Sequence, residues 1–289
     1  MSITSMIAAA SRNPHYVFGR FRSVRRAYSG VRRVRQLVTG SENLQISEKY
    51  GDDFRAIDIN PSGLVSSAID VNTHVSNLER DAVSPGLELT QNAHDHFLHL
   101  ANTLPLEENG EPVPRLEEIR SSGGAGVALA TVTQAAHDAM MQALMGDAML
   151  LAVVRLYLGY RPSHVSPWLF WSLVNDLSAE AREARYQTVR FHYDVHSYNF
   201  LYVNFYLTDS DERSGAHVLI QGSHRDKRLR HLLGSAKLSD RQAQDDYGES
   251  RIRTMRGRAR SGFFEDTSCY HKAIPPIERD RLMLQIRYQ

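Results

Sequence analysis

A short stretch at residues 191–194 holds the residue types best suited to metal chemistry, a histidine and a carboxylate two positions apart. Side chains on a strand alternate between two faces, so His192 and Asp194 point to the same side and can bind one metal. The chain has 13 His and 33 Asp plus Glu in 289 residues, so roughly 1.5 such pairs are expected by chance. A second pair, His224 and Asp226, does occur, and the context of each pair must decide between them.

That context favours the first pair. His192 and Asp194 lie where a strand-like segment gives way to a turn, whereas the second pair lies in a charged loop after Gly222-Ser223. A third ligand must come from a distant strand, and His271 qualifies because it follows the strand-like segment at residues 263–264. Two histidines and one carboxylate form a triad that leaves three metal positions open. This triad suits non-haem Fe(II), which then binds a bidentate oxo acid together with O₂.

An arginine on the last predicted strand completes the candidate site. The residues that share one face of this strand are Arg281, Met283, Gln285 and Arg287. Arg281 lies nearest the strand start, and its planar donors match the distal carboxylate of 2-oxoglutarate. Arg279 and Arg287 compete for this role, and the alternative for Arg281 is a surface ion pair with Asp280.

Composition excludes several other classes of site. The chain is 42% hydrophobic and 23% charged, which is typical of a globular protein. Its single cysteine, Cys269, excludes an internal disulfide and a cysteine-rich zinc site. No apolar run approaches the length of a membrane span. Nothing in the sequence indicates a nucleic-acid partner.

The elements that must position the site differ between the two halves of the chain. Residues 188–289 are rich in aromatic and β-branched residues between turn signals, which favours an antiparallel sandwich or barrel. Helical patterns in the first half, after the N-cap Thr90 and on both sides of Gly146-Asp147, predict helices that pack outside it. Ser239 and Gln242 form a capping-box pattern. The segment 225–262 is a candidate lid over the site.

The first 40 residues are strongly basic. They carry eight Arg, no Lys and no acidic residue, while the remainder has 26 basic and 33 acidic residues. Three interpretations fit this arm: a solvated helical extension, a surface for an anionic membrane or an acidic carrier, or an organelle transit peptide.

The motifs in their order and spacing resemble the phytanoyl-CoA dioxygenase family over about residues 73–289, most clearly from 188 onward. The segments that carry this resemblance are His192-x-Asp194, Leu207-Thr208-Asp209, Ser214-Gly215-Ala216, Gly222-Ser223-His224, and His271 followed by Arg281 and Tyr288. The resemblance implies a mainly β protein with packed helices around a double-stranded β-helix, a cupin-like jelly roll. It also implies an oxidoreductase that uses Fe(II), 2-oxoglutarate and O₂.

By the same resemblance, iron is expected to bind to His192, Asp194 and His271, and 2-oxoglutarate to Arg281 and Asn204. The family often has a hydroxyl donor two residues after the distal histidine, and this chain has Ala273 there. The carboxylate of Asp194 favours hydroxylation over halogenation, because related halogenases replace it with a small residue.

The combined interpretation has three segments: a basic helical arm at 1–40, a connector at 41–72 and a jelly-roll oxygenase domain at 73–289. We expect a dioxygenase that hydroxylates a C–H bond of a small-molecule or lipid-like substrate and releases succinate and CO₂. The alternative is a cupin-like metal-binding or scaffold protein without turnover. A cytoplasmic location is expected, with organelle targeting or peripheral membrane binding through the arm as alternatives; the oligomeric state stays open.

Overall fold

The computed structural model describes residues 13–40, 44–46, 55–56, 58–123, 126–185 and 189–289. Predictions that concern residues 1–12, and most of those for 41–57, lie outside the described residues. The strands are β1 (Gln45–Ile46), β2 (Arg55–Ala56), β3 (Val65–Ser67), β4 (Val83–Leu89), β5 (Leu106–Glu108), β6 (Glu111–Val113), β7 (Leu129–Val132), β8 (His164–Ser172), β9 (Phe191–His192), β10 (Leu201–Tyr206), β11 (His217–Ile220), β12 (Lys237–Leu238), β13 (Ile252–Met255), β14 (Ser261–Glu265), β15 (His271–Ala273) and β16 (Arg281–Tyr288).

Helices occur mainly before residue 186. The α-helices are α1 (Pro14–Phe18), α2 (Arg22–Thr39), α3 (Val71–Asp81), α4 (Gln91–Thr103), α5 (Leu116–Ser121), α6 (Ala139–Met145), α7 (Ala148–Leu158), α8 (Ala179–Arg185), α9 (Leu229–Leu233) and α10 (Asp240–Tyr247).

Two sheets pack face to face. The major sheet has the order β3-β4-β14-β10-β16-β8-β7-β5-β6, and the minor sheet has the order β12-β9-β15-β11-β13. Neighbouring strands are antiparallel, except that β1 runs parallel to the start of β8. A buried cluster joins Phe170, Tyr206 and Met283 of the major sheet to Leu219 and Met255 of the minor sheet. The inner faces of the two sheets therefore form the interior in which a site can lie.

Strand β16 shows how the major sheet separates the two sides of the molecule. Its even-numbered residues belong to the large apolar core: Leu282, Leu284, Ile286 and Tyr288. Its odd-numbered residues line a cavity between the sheets: Arg281, Met283, Gln285 and Arg287. The predicted alternation along this strand is confirmed.

Helices cover the outer face of the major sheet, and the predicted helix caps are confirmed. Thr90 caps α4 and Asp147 caps α7, each by accepting a backbone N–H of the first turn. Gly159 ends α7 in the left-handed conformation that glycine adopts most easily. Ser239 and Gln242 form the predicted capping box of α10. Apolar residues of α3, α4, α6 and α7 join the core beneath them.

The structure differs from the predicted lid. Within the segment 225–262, β12 pairs with β9 and β13 pairs with β11, so two of its strands extend the minor sheet. The predicted connector also contributes a strand, because β3 is the edge of the major sheet. Local composition did not reveal these pairings, since each depends on a partner strand elsewhere in the chain.

The basic arm also differs from a solvated extension. Its helices α1 and α2 lie against the domain, and Arg25 of α2 is buried. None of the helices in the described part of the chain combines the length and the apolar character that crossing a membrane requires.

Candidate metal centre

The minor sheet brings the three predicted metal ligands together. Antiparallel pairing of β9 and β15 places His192 directly opposite His271, with ring centroids 4.3 Å apart. Asp194 lies just after β9, and its backbone N–H donates to the Thr267 carbonyl at 2.9 Å. Its two carboxylate oxygens lie 3.9 Å from His192 Nε2 and 3.7 Å from His271 Nε2. The donor atoms all lie within 4.8 Å of one another, which is the arrangement that one metal ion requires.

Backbone carbonyls select the histidine tautomer that metal binding needs. His192 Nδ1 lies 2.9 Å from the Arg190 carbonyl oxygen, and His271 Nδ1 lies 3.1 Å from the Cys269 carbonyl oxygen. A carbonyl can only accept, so each Nδ1 carries the proton and donates it. Each Nε2 is then left with a lone pair that faces Asp194. Such a hydrogen bond fixes the ring orientation of metal-binding histidines.

The electrostatics keep His192 and Asp194 in the protonation states that bind metal. Burial, followed by the proximity of His271, lowers the pKa of His192 to about 4, so this imidazole is neutral at pH 7. Burial alone would raise the pKa of Asp194, but His271, His196 and His192 together hold it well below its usual range. The site therefore offers a carboxylate anion and a neutral imidazole at neutral pH.

A buried hydrogen-bonded group supports His271 from behind. Glu265 is fully buried, and His217 Nε2 lies 2.7 Å from its carboxylate. The ring of His217 in turn stacks on His271 with centroids 5.4 Å apart. His217 thereby holds the ring of His271 in place from the side of Glu265.

Asn204 takes a different position from the one expected of a cosubstrate contact. It is fully buried on β10, and its amide donates to Glu265 Oε2 at 3.4 Å. It is not among the residues that line the cavity. The structure thus places Asn204 among the buried residues that hydrogen-bond to Glu265, because this carboxylate lies on the neighbouring strand β14.

Arg281 lies in the same cavity as the three metal ligands. The cavity has a volume of about 300 Å³. Arg281 is only 2% exposed, and its guanidinium donates to the Gly215 carbonyl and, at 3.0 Å, to Ser172 Oγ. Its Nε has no partner, and no carboxylate of the described chain forms an ion pair with it. A buried cation without an anion is costly, so the position suits an anionic ligand.

The alternatives to Arg281 as the residue that binds an anionic ligand have less support. Asp280 forms its ion pair with Arg120 at 2.8 Å and not with Arg281. Arg279 is exposed and paired with Asp211 at the surface. Arg287 does line the cavity, at the opposite end of β16 from Arg281. Arg287 therefore remains the one competitor that also faces the site.

The sequence alone did not place several further residues in the cavity. Trp168 and Phe170 on β8 stack with ring centroids 4.0 Å apart and form an aromatic wall. Ser172, on the same strand, supplies a hydroxyl beside Arg281. His196 lies 3.4 Å from the Asp194 carboxylate and is itself half exposed in the cavity. The composition of residues 168–171 is typical of a strand. The direction in which each of their side chains points, however, depends on the register of β8 with β16.

The second His-x-Asp pair does not form a metal site. Asp226 pairs with Arg251 at 2.7 Å, while His224 is buried. Burial lowers the pKa of His224 to about 4. The unfolded chain, with a histidine pKa near 6.5, therefore binds a proton between about pH 6.5 and 4 that the folded protein does not.

This difference predicts acid lability of the metal-free protein. Stability rises with pH where the unfolded state binds more protons, so it falls as the pH drops from 6.5 towards 4. Between pH 7 and pH 5, His224 contributes about 2 kcal/mol of this loss. Urea unfolding of wild type and His224→Gln at both pH values measures it. The variant should lose about 2 kcal/mol less on acidification, and equal losses would contradict the role of His224.

Comparison with known proteins bears on the fold. The sequence matches no protein-family model and no curated protein, whereas many solved structures are similar. EvdO2 from Micromonospora carbonacea var. aurantiaca, complexed with 2-oxoglutarate, superposes with a TM-score of 0.51 at 10% identity, covering 77% of this chain and 92% of that one. The epimerase SnoN, in complex with Fe³⁺, alpha ketoglutarate and nogalamycin RO, superposes with a TM-score of 0.49 at 16% identity. The match covers 76% of this chain and 83% of that one.

HygX from Streptomyces hygroscopicus, with nickel and 2-oxoglutarate bound, gives a TM-score of 0.46 at 16% identity over 75% and 85% of the two chains. At these identities the likeness shows the fold alone, and the resemblance to the phytanoyl-CoA dioxygenase family stays a prediction. The two packed antiparallel sheets with outer helices confirm the fold class predicted from sequence. The chain has a double-stranded β-helix core, the jelly roll of the cupin type.

Proposed function

We propose that the chain is an Fe(II)- and 2-oxoglutarate-dependent dioxygenase that hydroxylates a C–H bond of a small-molecule or lipid-like substrate. One observation carries this proposal: a 2-His-1-carboxylate set and a buried arginine without a carboxylate partner line the same cavity. Similar folds crystallised with 2-oxoglutarate and with Fe³⁺ or nickel support it.

The residues present fit both groups. His192, Asp194 and His271 would hold the metal, since their lone pairs and carboxylate all face the cavity. Arg281 would hold the distal carboxylate of 2-oxoglutarate, and the hydroxyl of Ser172 would help to orient it. When bound, iron and 2-oxoglutarate supply the oxidising chemistry, in which one oxygen atom of O₂ enters succinate, with loss of CO₂, and the other enters the product.

The chain itself contributes position and exclusion of water. Trp168, Phe170 and Met283 give the cavity apolar walls that hold an apolar part of the substrate near the metal ligands. His196 keeps the Asp194 carboxylate ionised and oriented. The tautomers of both ligand histidines are set by the backbone, so metal binding needs no change of tautomer there.

An anaerobic titration tests the proposal. Addition of Fe(II) and then 2-oxoglutarate should produce a weak charge-transfer band in the visible region, and admission of O₂ should then yield succinate. Binding of Fe(II) without any effect of 2-oxoglutarate would instead favour the metal-binding scaffold without turnover. Failure to bind Fe(II) at all would contradict both functions.

Arg281 and Arg287, two of the arginines that line the cavity, provide a matched pair of variants for 2-oxoglutarate binding. Changing Arg281 to Gln should weaken 2-oxoglutarate binding roughly a hundredfold or more, because a buried, charge-assisted carboxylate contact is lost. Changing Arg287 to Gln should alter it by less than about threefold. Calorimetry of the anaerobic metal-loaded protein measures both affinities, with Arg281→Lys as a variant that keeps the buried charge. The opposite ranking would assign the anchor to Arg287.

A further inference from the structure

Helix α2 buries its polar side and exposes its apolar side, unlike most surface helices. Its polar side packs against the protein, through buried Arg25, through Arg32, which donates to Ser163 Oγ at 3.0 Å, and through Gln36, which donates to the Arg161 carbonyl at 2.8 Å. A surface helix normally buries its apolar side. The apolar side of α2 is therefore left for another contact.

The outward side of α2 is a continuous apolar stripe. The stripe consists of Val31, Val34, Leu37 and Val38, which are 67%, 60%, 78% and 80% exposed. Residues three and four apart lie on one face of a helix, so these side chains are neighbours. Tyr16 and Phe18 of α1 are exposed as well, and six of the eleven large exposed apolar residues of the described chain lie on the arm. Such a concentration marks an interaction surface.

Arginines border this stripe on both sides. Arg26 and Arg33, seven residues apart, lie along one flank, and Arg35 lies on the other; all three are exposed. The helix contains no acidic residue. Arg22, at its start, has Glu79 of α3 within electrostatic range. The contact surface is thus apolar in its centre and positive at its edges.

We propose that the arm is a peripheral membrane anchor, with α2 lying flat on an anionic lipid surface. The apolar stripe would enter the boundary between headgroups and acyl chains, while the arginines contact lipid phosphates. The helix is about 27 Å long, which gives a flat contact along its whole length. Pairing with a second copy is disfavoured, because it would bring arginines of the same flanks together without any acidic partner on the helix.

The arm also contacts a loop that contributes to the cavity. His15 and Tyr28 contact the ring of Tyr198, with centroids 6.2 and 5.0 Å apart, in the loop that follows Asp194. His196 of the same loop lines the cavity. A lipid surface on the arm would therefore lie beside a loop that lines the candidate site. This fits a lipid-like substrate, a point that rests on the proposed function.

Vesicle co-sedimentation of the full chain tests the anchor. Binding to phosphatidylcholine vesicles that contain phosphatidylglycerol should exceed binding to phosphatidylcholine alone at least tenfold and should fall with added salt. The double change Val34→Asp with Val38→Asp should reduce binding at least tenfold. The double change Arg26→Gln with Arg33→Gln should reduce it about 25-fold, since each arginine near an anionic surface contributes roughly fivefold.

Matched controls lie outside the arm. Ile277→Asp changes a residue that is 65% exposed, and Arg241→Gln changes a side chain that is 91% exposed; both should bind vesicles like wild type. Three results would overturn the anchor: no binding to anionic vesicles, equal binding to neutral ones, or arm variants that bind fully. A wild-type dimer that the valine changes convert to monomer, with vesicle binding retained, would assign the stripe to self-association instead. Fe(II) and 2-oxoglutarate binding is measured without vesicles, so the two proposals fail separately.

Discussion

Changing Asp194 to Asn should lower the affinity for Fe(II) by roughly a hundredfold or more and reduce succinate formation to background. Loss of an outer hydrogen-bond partner alone typically costs about 10- to 100-fold in metal affinity, and Asp194 is a direct ligand candidate. The amide keeps the shape of the side chain but removes the anion that lies 3.7 and 3.9 Å from the two imidazole nitrogens. Anaerobic calorimetry with Fe(II) measures the affinity. His271→Gln should behave in the same way.

The chain offers its own control for this change. Asp226 belongs to the other His-x-Asp pair, is half exposed and pairs with Arg251. Asp226→Asn should therefore leave Fe(II) affinity within about twofold of wild type. Equal losses in the two variants would contradict the assignment of the metal centre, and circular dichroism separates loss of ligand from loss of fold.

Changing Arg25 to Met should cost about 3–5 kcal/mol of unfolding free energy, because it leaves a buried carboxylate without its cation. Arg25 lies 2.9 Å from the Asp266 carboxylate, and the two side chains are 10% and 1% exposed. Burial alone would raise the pKa of Asp266, but Arg25 and His224 hold it well below its usual range. The same guanidinium donates to Asn199 and to Ser268, so one side chain joins three segments of the chain.

The adjacent residue, Arg26, provides the control for the Arg25→Met variant. Arg26 is exposed on the same helix, and Arg26→Met should change stability by less than about 0.5 kcal/mol. Urea unfolding of the metal-free proteins at pH 7 measures both variants, with the m-value as a check on two-state behaviour. A loss for Arg25→Met no larger than that for Arg26→Met would show that the arm does not stabilise the domain.

Local patterns predicted the parts of the fold and site that depend on neighbours in sequence. Alternation along residues 281–288 identified the face of β16 that lines the cavity. The spacing of His192 and Asp194 placed two candidate donors on one side, and the structure brings His271 to them. The caps at Asp147 and Ser239 were recognisable because capping is a contact over three residues.

The remaining features depend on contacts between distant segments. Ser172 reaches Arg281 only through the register of β8 with β16. His217 supports His271 because β11 pairs with β15, and its partner Glu265 lies in the other sheet. The burial of Arg25 was unpredictable for the same reason, since an arginine-rich helix without acids looks solvated until its distant partner Asp266 is known.

The contacts of Arg25 have a thermodynamic consequence for the arm and the metal. Arg25 bonds to Asn199, in the loop after Asp194, and to Asp266 and Ser268, in the loop before His271. A ligand that stabilises this arrangement of the two loops also stabilises the docked arm, and by reciprocity anything that favours the docked arm raises the affinity for the metal by the same factor. A lipid surface that binds the docked arm more tightly than the undocked arm would then act as an allosteric effector of metal binding.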